Sequence, residues 1–476
     1  MKKRVLLVAM ACAFGLSDAV LAKEVTPKKK KPAPVVEPAP EPAPAPAPPR
    51  RKAISPLDMQ KAEEDVPEPP KKPKPAEKKP EVKVKAGASL QTDYRSHSYP
   101  EGTPFTRDDH VANYDMRRSR VEVRGEIGEY YSAKLSVDFS NGAELKDAYI
   151  NYNFFEPIQV LVGQEDTPFG TEALGSTMNQ EFLEKSMMGK LTDNGNDRGM
   201  MFHGEMFDSI FSYHLGFLTG ASGAVHDNNN SSDFATRMVL GTPKDFDSFF
   251  HGWIGFSYMA GSQNTTTSGD SIKIVTEAGT GGATLFQAKL PAALDSTTGK
   301  LSDAALLHQD YDRSRFGVEM TALLGPVTTK FEYFTTTYDF GNPVTINGGY
   351  VFGSWMLTGE TRTVSNGVLE SQKVEDPFEP DFSGLGAWEV AFRYSWYTAD
   401  ANFFADNGLY NGWTGISKTK NADAASAFTV GVNWYPEQKV RIMFNWINTL
   451  AADPNSTSTS KTSVEQAIMF RFQLGI

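Results

Sequence analysis

One cysteine, Cys12, occurs in 476 residues. It lies in a leader, so the mature chain can form no intramolecular disulfide and no thiolate metal centre. Beyond that leader no stretch approaches the roughly 20 apolar residues of a spanning helix, so a membrane protein of this sequence must cross as a barrel. Catalytic signatures are missing as well. There is no Walker loop, no H-E-x-x-H and no G-x-S-x-G, and neither enzyme activity, cofactor nor metal is expected. The seven histidines, His97, His110, His203, His214, His226, His251 and His308, are scattered singly. They read as solvated loop residues, with a metal pair left open. Asp193-Asn194-Gly195-Asn196-Asp197 has no Glu at the twelfth position to close a calcium loop, and reads as a turn. Positive charge is scarce outside the beginning of the chain. Residues 1–86 hold 19 Lys+Arg against 11 Asp+Glu, leaving 28 against 47 for residues 87–476. An acidic body argues against a nucleic-acid partner, which needs a basic face.

The chain divides into three parts. Residues 1–22 read as a secretory signal: Lys2, Lys3 and Arg4 precede the apolar Val5 to Leu16, and Val20-Leu21-Ala22 forms a cleavage site. An alternative reading of Cys12 as a lipid acceptor lacks the usual upstream Leu. Residues 23–84 are rich in Pro and Lys, as in Glu37 to Pro49 and Lys71 to Pro80. Proline at that density favours extended, solvated chain. This arm reads as a disordered periplasmic spacer or as a tether lying on anionic cell-wall polymer. Residues 85–476 form the third part.

In that part short stretches alternate between apolar and polar residues. Trp388, Val390, Phe392, Tyr394 and Trp396 alternate with Glu389, Ala391, Arg393 and Ser395. Val440, Ile442, Phe444 and Trp446 alternate with Arg441, Met443 and Asn445. Period two assigns each set to one face of a strand. One face is apolar and ends in aromatics, whereas the other carries whole charges. A soluble sandwich would need a protein core for the apolar face. Lipid outside and water inside suits both faces. Sixteen candidate strands lie near 85–95, 113–126, 129–139, 144–153, 157–165, 197–206, 209–219, 234–242, 250–261, 313–323, 327–338, 347–358, 385–398, 426–435, 438–448 and 463–476. Long and short connections alternate between them, as in membrane barrels. Residues 359–384 break that rhythm, being long where a short turn is due. The expected fold is all-β, a transmembrane antiparallel barrel of about sixteen strands in the outer membrane, with its basic arm in the periplasm.

Several segments resemble the phosphate-selective porin O and P family. They are Leu145-Lys146-Asp147-Ala148-Tyr149, Val162-Gly163-Gln164 through Pro168-Phe169-Gly170, Gly349 to Glu360, Gly386 to Ser395, and Asn433-Trp434-Tyr435-Pro436 followed by Val440 to Asn445. The resemblance implies a trimeric sixteen-stranded porin with loops folded inward, an inward-folded periplasmic turn at 359–384, and anion or phosphate uptake past luminal arginines and lysines. Its expected partners are outer-membrane lipid, two further copies of the chain and small solutes in transit. Two other readings stay open: a general or cation-preferring porin, and a barrel anchor that fastens the membrane to the wall through residues 23–84.

Parity names the charges that face the lumen. With Val121 and Val123 toward lipid, Arg118, Arg120, Glu122 and Arg124 face water. By the same rule Lys134, Arg315, Lys330, Arg393, Arg441 and Arg471 are luminal, as are Asp138, Asp147, Glu319, Glu332 and Glu389. Arg117, Arg118, Arg120 and Arg124 form the leading anion-site candidate, since guanidinium forks suit phosphate oxygens. The family's paired arginine matches Arg117-Arg118. The competing reading is that these cations pair with luminal acids. The outer loop 262–312 supplies only Lys273, Lys289 and Lys300 against six acids, Asp270, Glu277, Asp295, Asp303, Asp310 and Asp312, which argues against strict phosphate selectivity. The expected constriction is 166–196. There Leu174, Met178 and Phe182 fall at i, i+4 and i+8, with Met187 and Leu191 beyond, which suits a short helix packed on the barrel wall, a free surface loop being the alternative; Glu172, Glu181, Glu184, Lys185 and Lys190 would then reach the pore.

Overall fold

The computed structural model describes residues 81–101, 105, 112–220, 232–243, 246, 248–264, 271–289, 310–339, 343–400, 403, 421–452 and 461–476. The leader, the arm through residue 80 with its wall contact, and His110, His226, His308, Asp270, Asp295, Lys300 and Asp303 lie outside the described residues.

Sixteen strands close into one antiparallel barrel. They are β1 (Val82–Ser98), β2 (Ala112–Ile127), β3 (Tyr131–Asp138), β4 (Glu144–Phe155), β5 (Ile158–Asp166), β6 (Asn196–Met206), β7 (Phe211–Leu218), β8 (Asp233–Gly241), β9 (Phe250–Asn264), β12 (Asp310–Leu324), β13 (Val327–Asp339), β14 (Pro343–Met356), β17 (Ala387–Ala399), β18 (Ala424–Glu437), β19 (Val440–Ala452) and β20 (Lys461–Gly475). Each overlaps one of the sixteen expected segments. β1 pairs with β20 from Ser89↔Gly475 to Ser98↔Gln466, so no edge is left open.

Alternation does the sorting. On β17, Trp388 and Phe392 are exposed on the outer wall, while Glu389, Arg393 and Ser395 are enclosed inside. On β20, Ile468, Phe470, Phe472 and Leu474 face out and Arg471 is buried. In lipid each such side chain escapes water, worth about 1.5–3 kcal/mol for a fully transferred Phe or Leu. The closed ladder meanwhile satisfies every backbone group that the bilayer could not. Short turns lie at the end that bears both described chain ends. One of them, Phe207-Asp208-Ser209, holds three consecutive non-glycine residues at φ near 60° (60, 58 and 61).

Three inward segments narrow the lumen. The first, between β5 and β6, carries α1 (Thr171–Leu174) and α2 (Met187–Thr192). The expected single helix is therefore interrupted, and the barrel wall explains why. Side chains of the wall take the carbonyls that a helix would have used. Gln91 bonds Thr177 O at 2.9 Å, Gln473 bonds Met178 O at 2.7 Å, Arg441 bonds Gln180 O at 2.6 Å and Arg393 bonds Glu184 O at 3.1 Å. The second segment is a hairpin inside the long loop after β9, formed by β10 (Ser271–Val275) and β11 (Thr284–Lys289). The third is the turn after β14, carrying β15 (Val364–Ser365) and β16 (Val368–Leu369). Its tip reaches the barrel wall: Arg237 donates to Asn366 O at 2.8 Å and Thr321 Oγ1 to Gly367 O at 2.7 Å. The extra length of 359–384 is thus an ingrowth.

Water does not fill the whole interior. Phe169, Met187, Met188, Ile274, Leu285, Phe286, Val344 and Ile346 form one buried cluster where the first two segments meet the wall. The histidine expectation also changes, because four histidines, His97, His203, His214 and His251, lie on barrel strands. His97 sits 2.7 Å from the buried Glu465. His203 and His214 are directly opposed cross-strand partners with stacked rings 5.6 Å apart.

Candidate functional site: the charged lumen

The arginine cluster on β2 owes its geometry to a bulge. Strict alternation would turn Arg117 and Arg118 to opposite faces. Opposite Gln91 and Thr92 the register slips, with Gln91 paired to Arg118 and Thr92 to Met116, leaving Arg117 as the extra residue. A bulge re-aims side chains in this way. Tyr114 and Met116 lie outside on one side of it, Val121 and Val123 outside on the other, and both arginines reach the lumen. Arg117 Nε lies 2.8 Å from Glu184 Oε1. Arg118 Nη1 donates to Gln91 Oε1 at 2.8 Å, and no carboxylate among the described residues lies within ion-pair distance of it.

The other wall cations have partners of three kinds. Some pair along the wall: Arg120 with Asp138 at 3.8 Å, Arg124 with Glu122 at 3.2 Å and Lys134 with Asp147 at 2.8 Å. Some hold acids of the inward segments. Lys330 binds Glu181 at 2.8 Å, and Arg393 binds Glu172 at 2.9 Å and Glu277 at 2.7 Å while its guanidinium lies over the Phe182 ring. The remaining ones hold main-chain oxygens. Arg315 donates to Thr192 O at 3.1 Å and Leu191 O at 3.4 Å, and Arg441 to Gln180 O and Glu181 O. On the inward segment Lys185 pairs with Asp193 at 2.5 Å and Lys190 donates to Thr276 O at 3.0 Å.

These pairings set the ionisation of the inward segment. Burial works to raise the Glu184 carboxyl, but Arg117, Lys190 and Arg95 around it hold it well below the usual carboxylate range. Burial likewise opposes ionisation of Glu181 and Asp193, and Lys330 and Lys185 respectively overcome it and lower both. In the third segment, burial lowers and Glu389 more than restores the charge of Arg362, whose Nη2 lies 2.7 Å from Glu389 Oε2.

Sequence reasoning passed over several members of this network. Arg95 and Asp93 share the inner face of β1, and Arg471 grips Asp93 through Oδ1 at 2.6 Å and Oδ2 at 2.8 Å. Parity applied to β1 would have found both. Arg237, bonded to Glu319, is hidden in the apolar run of β8. Glu277 and Arg362 lie in loops, where parity has no meaning. At the end bearing Glu81 and Ile476 the lumen opens into a cavity of about 340 Å³. Arg120, Arg124, Arg362, Lys439 and Arg441 line it, with a single acidic side chain, Glu122, and the C-terminal Ile476. Among the described residues no group of three or more ligating side chains is placed to hold a metal.

The family described as phosphate-selective porin O and P matches residues 84–476. Porin O of Pseudomonas aeruginosa is 24% identical over 390 residues, which cover 76% of this chain and 82% of that protein. Among solved structures, the anion-selective porin from Comamonas acidovorans aligns at 11% identity over 83% of this chain and 100% of its own, with a TM-score of 0.46. Pseudomonas putida OprB aligns at 8% identity over 83% of this chain and 94% of its own, with a TM-score of 0.48.

Proposed function

The chain belongs to the phosphate-selective porin O and P family and is an outer-membrane porin, a channel by class; from that premise we propose that it passes small anions, inorganic phosphate among them, by passive diffusion. The observation that carries the preference is the lining of the cavity beside Ile476, where five basic side chains meet one acidic one; Arg120, Arg124, Arg362 and Arg441 are held there by carboxylates, and Lys439 has none within ion-pair distance among the described residues. A pore makes no bonds; lining charge lowers the barrier for one sign of ion. Arg118, without a carboxylate partner, extends positive potential from that cavity toward the constriction. Most other wall cations are neutralised by the acids they hold, so the preference is moderate. A homotrimer and a periplasmic arm, either a spacer or a tether to anionic wall polymer, complete the reading.

The test is the reversal potential of the purified barrel in a planar bilayer across a KCl gradient. An anion-side value supports the reading, and added phosphate should then lower the chloride current. A cation-side value removes the anion preference. Absence of current removes the channel itself.

A further inference from the structure

Glu184 occupies an unusual position among the luminal acids. It comes from the first inward segment, is nearly fully enclosed, and serves several cations at once. Its Oε1 lies 2.8 Å from both Arg95 Nη2 and Arg117 Nε, and its Oε2 3.3 Å from Arg117 Nη2. Lys190 faces the same carboxylate, and Gly279 of the hairpin turn lies so close that a Cβ there would touch it. Around it stand Arg95, Arg117, Arg118 and Arg471, with Asp93 and Asp115 as the other acids of the cluster. Four guanidiniums and the Lys190 ammonium thus face three carboxylates, and Glu184 is the one supplied by the inward segment. Arg117 keeps 30% of its side chain exposed, so whatever positive charge Glu184 leaves uncancelled is presented to passing ions.

We propose that Glu184 is the residue that sets this porin's ion selectivity, by capping the β1–β2 arginine cluster with one negative charge. The barrel wall then carries the cations of a strongly anion-preferring channel, and the inward segment masks them. This rests on the porin reading above. It differs from that reading in locating the control in an acid, not in the arginines.

Glu184→Gln keeps shape and hydrogen-bonding capacity and removes the charge. In a bilayer under a KCl gradient it should raise the chloride-over-potassium permeability ratio by about threefold or more at low salt, as expected for one unit charge several ångströms from the ion path. The gain should fade toward molar salt, where the screening length falls to about 3 Å. Glu184→Asp retains the charge one methylene away and should keep the wild-type reversal potential. A residue that only fastens the segment would behave otherwise: Glu184→Asp and Glu184→Gln would both raise conductance, with no salt-dependent change in selectivity, and that pattern overturns the proposal. So does an unmoved reversal potential in Glu184→Gln when the wild type conducts. A wild-type barrel without current removes the porin reading, and this proposal with it.

Discussion

Arg393 offers the sharpest separation between a cation that lines the path and one that holds the constriction in place. Replacing it with Met preserves most of the aliphatic volume and removes the charge. In the folded chain its guanidinium meets Glu277 Oε2 at 2.7 and 3.2 Å, Glu172 Oε1 at 2.9 Å and Glu184 O at 3.1 Å, and lies 4.7 Å from the Phe182 ring centroid. Arg393→Met would strand two carboxylates that are at most 6% exposed. Breaking a buried ion pair by removing one partner costs about 3–5 kcal/mol. At about 1.4 kcal/mol per decade, this favours release of the inward segment and the hairpin by roughly two to three and a half powers of ten. The barrel ladder itself loses no hydrogen bond. The expected outcome is larger single-channel conductance, together with tryptic cleavage after Lys185 and Lys190, which the wild-type fold encloses. If Arg393→Met instead lowers anion preference at unchanged conductance, with both lysines still resistant, then Arg393 lines the path and the fastening argument fails.

Three further outcomes follow from the same structure. Gly163 lies in β5 at φ 138°, where a Cβ would collide with Ala148 O and Tyr149 Cα; Gly163→Ala should cost about 1–3 kcal/mol, read as a lower urea midpoint for the detergent-folded barrel, and an unchanged midpoint would contradict the close β4–β5 packing. Arg362→Met should loosen the third inward segment by about 1.5–3 kcal/mol, less than at Arg393 because Arg441 still faces Glu389 at 3.9 Å, so conductance should rise by less than in Arg393→Met. Because the Glu181 and Asp193 carboxyls are held below their ordinary values, their contribution to closure is complete above the unfolded value of about 4 and is lost as pH falls through the lower folded values. The conductance rise that these two carboxyls control should therefore come only below about pH 4, and a conductance unchanged between about pH 5 and about pH 2 would contradict the assigned pairs.

The barrel wall was legible because its rule is local. Trp388 and Glu389 are neighbours in the chain, and period two sends them to opposite faces whatever the rest of the molecule does. The same rule placed Lys330, Arg393, Arg441 and Arg471 inside. It gives no account of Arg117, since a bulge depends on the partner strand and β1 leaves no mark in the sequence of β2. It also cannot say what an inward cation touches. Glu277 meets Arg393 across 116 positions, Gln180 meets Arg441 across 261 and Asp93 meets Arg471 across 378. The helical spacing of Leu174, Met178 and Phe182 misled for the same reason, because the carbonyls that would have closed the helix are taken by side chains more than 80 residues away.

That distribution of partners changes what the net charge means. The acidic balance of residues 87–476 would repel anions if it were spread along the ion path. Pairing leaves that balance intact, but it cancels the charge that acts at the constriction. Glu172, Glu181, Glu184 and Glu277 lie against wall cations in buried contacts, and a paired buried charge projects little field beyond its partner. An ion in the lumen is governed by the residue of that cancellation, at distances shorter than the screening length of about 8 Å. Arg118 and Lys439 of the basic cavity beside Ile476 are part of that residue. Acids of the inward segments thus hold the constriction in shape, and selectivity depends on how completely each one covers the cation it grips.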